Sequence, residues 1–150
     1  MSYPVNLTER LKIIGITLTS KCLAAGSKQT ATIDMGLYRR LVVIGVVQNT
    51  AATTTVPHAT VKILDSTAKG TTASTSIVRH TMMSQTAGVM RSAILEIRDE
   101  QVGQVTARTN TGRFVRARVQ WNTRPVQVGV LCIAGDSRFG ALSNTVTTTA

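Results

Sequence analysis

Aromatic side chains are scarce in this sequence: Tyr3, Tyr38, Phe114, Trp121 and Phe139 are all that 150 residues contain. A core must therefore be assembled mainly from Val, Ile, Leu, Ala and Met. Cysteine is nearly absent. Cys22 and Cys132 are too few and too far apart for the disulfide framework of a small secreted domain. Cys132 lies within the apolar run Val128-Gly129-Val130-Leu131-Cys132-Ile133-Ala134, so a buried free thiol is expected there. Long hydrophobic runs are missing as well. Even the longer unbroken runs, such as Leu41 to Val47, fall far short of the roughly 20 residues that span a bilayer. No basic segment followed by an apolar one opens the chain, so neither a secretory signal nor a membrane span is expected, and synthesis in the cytoplasm is.

Acidic residues are also few. Seven Asp and Glu stand against seventeen Lys and Arg, a net charge of +10 and a pI near 10.9. Such an excess points to an anionic partner: nucleic acid, a membrane surface or an acidic protein face. Twelve of the seventeen are Arg, the residue suited to planar, bidentate pairing with carboxylate or phosphate. The densest group is Arg108, Arg113, Arg116, Arg118 and Arg124.

What the chain has in quantity is threonine, 24 residues, together with Val and Ile. Branched Cβ atoms fit the pleat of a sheet and crowd the turn of a helix, so the composition predicts an all-β protein. At this length a domain buries roughly 68–70% of its unfolded surface, enough for one self-supporting core over 1–150. Short apolar runs separated by polar, turn-forming clusters recur about every 10–15 residues. The runs are Leu11–Leu18, Gln29–Ile33, Arg40–Gln48, Thr60–Leu64, Thr75–Met82, Met90–Arg98, Arg113–Trp121 and Val126–Ala134. They predict a jelly-roll-like sandwich of about eight antiparallel strands. The last two runs, divided by Asn122-Thr123-Arg124-Pro125, read as the clearest strand pair. One stretch competes with this pattern: Met83, Ala87, Met90 and Ile94 have helical spacing, with Gly88 and the flanking β-branched residues against it.

Alternation assigns faces, because successive side chains of a strand point to opposite sides. Val115, Ala117, Val119 and Trp121 share one face, with Phe114, Arg116, Arg118 and Gln120 on the other. Val126, Val128, Val130 and Cys132 point one way, Gln127, Leu131 and Ile133 the other. The run Arg40–Gln48 is apolar on both faces, which predicts a cover over its second face, either a long loop or another subunit. Phe114, Leu131 and Ile133 are the candidate oligomer-interface residues, and a dimer or trimer is expected.

Enzyme signatures fail on spacing or residue type. His58 and His80 have no Ser, Cys or carboxylate partner nearby in sequence, and with Cys22 and Cys132 they give no close metal-ligand pair. No Gly-rich phosphate loop or dinucleotide fingerprint occurs. Glu96, Asp99 and Glu100 form the main acidic cluster, at a strand end where a solvated turn is expected. No catalytic residue, metal or cofactor is expected. Nucleic-acid binding is the rival reading: Arg116 and Arg118 beside Phe114 combine cations with one stacking ring, although single-strand binders use several aromatics.

Four segments in order carry a resemblance. Thr32 to Ile44, with Ile33-Asp34-Met35 followed by Tyr38-Arg39-Arg40, resembles the opening of small tailed-phage head proteins of the cement, decoration or capsid-stabilising kind. Ala93-Ile94-Leu95-Glu96-Ile97-Arg98 resembles their "ILEVR" strand and Gly112 to Val119 their "RYVR" strand. Gly135-Asp136-Ser137-Arg138-Phe139 is similar to the Gly-Asp-x-Arg-aromatic turn that closes their last strand. Leu64 to Ser76 departs from the family in lacking a Trp-containing, Gly/Asp-rich hairpin. The resemblance implies a jelly-roll protein of the virion head surface that binds the major capsid protein outside an icosahedral shell and bridges neighbouring subunits. Arg113, Arg116, Arg118 and Arg138, in or beside the matching strands, are the candidate capsid contacts. The polar ends, 1–9 and 141–150, are candidate arms, with fraying as the alternative. A tail or neck component shares this profile, and a basic nucleic-acid-binding domain shares the charge.

Overall fold

Among the described residues, the stretches in which Val, Ile and Thr alternate with polar residues are extended. The computed structural model describes residues 11–18, 24–50, 58–66, 75–83, 87–102, 114–122 and 126–137. These contain β1 (Leu11–Leu18), β2 (Gly26–Gln29), β3 (Ile33–Asp34), β4 (Tyr38–Asn49), β5 (His58–Ser66), β6 (Thr75–Met83), β7 (Met90–Arg98), β8 (Phe114–Trp121) and β9 (Val126–Ser137), with one 3-10 turn at Asp99–Gln101. Arg113, Arg138, Cys22 and both candidate arms lie outside the described residues.

The strands form two antiparallel sheets, ordered β1-β9-β4-β7 and β2-β8-β5-β6, with β3 also on β8. The pairs β1·β9, β2 and β3 with β8, β4·β7 and β5·β6 are nested, first strand with last and inward to a central hairpin. A long antiparallel ribbon rolled on itself gives this order, closed by β4·β9 and β5·β8. That is a jelly roll.

Among the described residues nine strands stand where about eight were expected, because the run Gln29–Ile33 is interrupted. Thr30 N–H donates to Ala117 O at 2.9 Å, but Ala117 N–H donates to the Thr30 hydroxyl (3.2 Å) rather than to a main-chain carbonyl. The side chain thus substitutes for the ladder, and β2 and β3 become two halves of one strand on β8. The expected pairing of the last two runs is corrected: β8 and β9 belong to opposite sheets. The helical spacing at Met90 and Ile94 is a coincidence of periods, since four residues is also two strand repeats. Both side chains lie on the outer face of β7, while Ala93, Leu95 and Ile97 are buried.

The core is as small-sided as the composition demands. Leu41, Val43, Val47, Ile97, Val128 and Cys132 from one sheet meet Val61, Ile63, Val115, Ala117 and Val119 from the other, with Tyr38 and Trp121 its aromatic members. Gly45 marks a close approach of the layers, where an added Cβ would stand 2.9 Å from Val61 Cβ.

Cys132 is free and buried, as expected. Burial pushes its thiol up to about 12, against a lesser opposing hydrogen bond from Thr30. Tyr38 is raised too, by burial and then by Asp34. A raised folded-state value means that stability is fully present below the unfolded value and lost as pH rises through the folded one. Unfolding free energy should therefore decline from about pH 9 for Cys132 and from about pH 10 for Tyr38. Urea titrations between pH 7 and 11 check this: Cys132→Ala should remove the part that begins near pH 9. In the native protein at pH 8, peptide mapping should find Cys132 unalkylated by iodoacetamide until denaturant is added.

Candidate binding faces

Each sheet turns one face to the core and one outward, and the two outward faces differ in chemistry. On the β2-β8-β5-β6 sheet, register places Gln29 beside Arg118, Arg118 beside Lys62, and Lys62 beside Arg79. Three cations thus cross β8, β5 and β6 in one row, with Cα atoms about 5 Å apart between neighbours. Like charges directly opposite on paired strands repel, so the row is unfavourable without a counter-charge. Arg116 stands two residues along β8 on the same face, its Nε donating to Thr32 Oγ1 at 2.8 Å. Arg118 Nε is buried with no acceptor among the described residues. The next row is neutral: Thr60 and Thr81 hydroxyls bond at 3.0 Å, and Gln120 Oε1 accepts from Lys62 Nζ at 3.3 Å.

The two acidic residues described on this sheet lie off the row. Asp65 is buried on the core side. Asp34 sits at the far end, its carboxylate accepting the Gly36 N–H at 2.8 Å in the turn that leads into β4. Arg116 and Arg118 are thus brought together on one face. Lys62 and Arg79 were missed by sequence reading as members of the site. Alternation already put Lys62 opposite Val61 and Ile63, and only strand order joins it to Arg118.

The outer face of β1-β9-β4-β7 is apolar. Across the four strands, register aligns Ile16, Leu131, Ile44 and Ile94 in one row. Ile13, Ile133 and Val42 flank it on one side, and Leu18, Gly129, Val46 and Ser92 on the other. Leu18 is 72% exposed, Ile94 69% and Met90 60%. Leu131 and Ile133 therefore share this face. Phe114 does not: it stands on the other sheet, lining a cleft of about 270 Å3 with Ile14, Leu37 and Tyr38.

The residues weighed for chemistry are dispersed. His58 opens β5 and His80 lies in β6, exposed. Glu96 pairs with Arg40 at 3.1 Å on the surface, and Asp99 and Glu100 lie in the 3-10 turn. Among the described residues no three His, Cys, Asp or Glu side chains gather as metal ligands.

No protein-family model and no curated protein sequence matches the chain. Solved structures similar to it are chains of virus particles. A chain of Desmodium yellow mottle tymovirus is 9% identical, with TM-score 0.42 over 98% of this chain and 97% of that one. A chain of the Israeli acute paralysis virus full particle is 13% identical, with TM-score 0.42 over 99% and 81%. One from the cowpea mosaic virus empty virus-like particle is 10% identical, with TM-score 0.40 over 97% and 90%. At such identities and scores these likenesses assign no ligand, partner or activity to this chain.

Proposed function

We propose that this chain is a structural protein of a phage virion that attaches to the outer surface of an icosahedral head and stabilises the shell. The observation that carries the reading is the basic row Arg118–Lys62–Arg79, with Arg116 beside it, on the outer face of a rigid sheet. The order of the four head-protein-like segments in the sequence points to the shell as the place of attachment. The counter-surface is then acidic side chains of the major capsid protein, which Arg pairs bidentately. Many identical shell sites supply avidity, so each contact can be modest. Binding to the assembled shell alone shifts the assembly equilibrium by mass action.

The same basic row favours a second reading, attachment to nucleic acid, and salt separates the two. Binding to an anionic polymer that neutralises six to ten phosphates loses roughly 10³–10⁵ in affinity between 50 and 200 mM salt. The test measures purified protein against empty shells of the same phage and against oligonucleotides across that range. Saturable binding to shells that persists at 200 mM, with weak binding to oligonucleotides, is the expected result. Steeply salt-dependent oligonucleotide binding without shell binding would replace the head reading by the second.

A further inference from the structure

We infer that the apolar outer face of the β1-β9-β4-β7 sheet is covered by the same face of a second copy, making a two-fold dimer. The face has the anatomy of an interface, with an apolar centre inside a polar rim. Its centre is the row Ile16, Leu131, Ile44 and Ile94. Its ends are Gln48 and Gln127 on one side and Arg98 with the Arg40–Glu96 ion pair on the other.

Size favours a protein partner. Four strands and four rows of outward side chains cover about 19 Å by about 27 Å, roughly 500 Å2 per copy. A pair then buries roughly 1,000 Å2, the lower bound for a specific interface.

Shape selects a second copy. An isologous interface needs projection and recess on one patch, because each copy supplies both. The projection is the isoleucine row, led by Ile94. The recess is a hollow of about 250 Å3 bounded by Leu18, Val46, Gln48, Met90, Gln127 and Gly129. Gly129 forms its floor: a Cβ there would stand 2.7 Å from Leu18 Cδ2 and 3.0 Å from Val46 Cγ2. Ser92, the small residue beside Val46, extends the low ground onto β7. A two-fold axis running across the strands between projection and recess seats each row against the other copy's hollow. Charge does not oppose it: an axis across the strands sets the charged end of one copy, Arg98 and the Arg40–Glu96 pair, over the Gln48–Gln127 end of the other, while both basic rows point outward. The dimer thus presents one basic face at each end, about 30 Å apart for four sheets at ~10 Å spacing.

Sedimentation equilibrium of the purified chain, without any shell, reads this directly and is independent of what the basic face binds. The wild type should be a dimer at micromolar concentration. Ile94→Glu and Met90→Lys should each raise the dissociation constant at least ~100-fold, since each buries two unpaired charges in the dimer. Both positions are largely exposed in the single chain, so circular dichroism of the variants should match the wild type. Arg79→Glu, on the opposite sheet, should leave the dimer intact. A monomer at 100 μM (roughly the affinity of non-specific contact), a trimer, or a dimer indifferent to both substitutions would overturn the inference.

Discussion

Arg118→Glu combined with Lys62→Glu should abolish attachment to the shell while leaving the chain folded. Both side chains lie on the outer face of their sheet and leave the core untouched. Removing one partner of a desolvated charge pair costs about 2–5 kcal/mol, and reversal adds repulsion, so affinity should fall by ~10³ or more. Rim contacts behave differently. Arg116 is already held by Thr32, and a rim ion pair is worth about 0.2–1 kcal/mol, so Arg116→Ala alone should leave occupancy nearly intact. Arg116→Ala with Arg118→Ala should weaken attachment and lower the temperature at which decorated shells open. Co-sedimentation with shells and thermal scans of the particles measure both effects. Full occupancy by the double Glu variant would remove the basic face from the account.

Trp121→Ala should cost about 3–5 kcal/mol of folding stability, the range for emptying a large aromatic site. The indole ends β8, where Gly26 and Ala59 pair with it from the two neighbouring strands. Its Nε1–H donates to Ala24 O at 2.7 Å. The ring lies so close on Gly26 that a Cβ there would stand 2.8 Å from Cζ2. Gly26 and Ala59, the residues paired with it, are too small to fill that space. Trp121→Phe keeps most of the ring and loses the hydrogen bond, and should cost about 1–2 kcal/mol. Urea unfolding followed by circular dichroism gives both values. A loss below about 1.5 kcal/mol for the Ala variant would mean that the site collapses and the ring is dispensable.

Much of the architecture was legible because alternation is local. Val115, Ala117, Val119 and Trp121 point inward and Arg116 and Arg118 outward, as the sequence pattern requires, and the same holds for Val126 to Cys132. The poverty in aromatics likewise predicted a core of Val, Ile, Leu, Ala and Met. What alternation cannot supply is the neighbour. Lys62 and Arg79 join Arg118 only through strand order, which closes loops of dozens of residues and leaves no local trace. For the same reason Phe114 and Leu131, both outward in sequence, prove to face away from opposite sheets. The break at Thr30 was hidden because a threonine hydroxyl that replaces a carbonyl resembles any other strand threonine. Proximity in sequence misled once, at β8 and β9: their short separation suits a hairpin turn, yet the two strands belong to opposite sheets.

The central claim is that the basic face meets the head shell, and a cryo-electron microscopy map of the intact particle tests it most directly. The account predicts density for this fold on the outside of the shell, with the Arg118–Lys62–Arg79 row buried against acidic side chains of the capsid protein. Density confined to the neck or tail, or a copy on the shell whose basic row faces solvent, would contradict it.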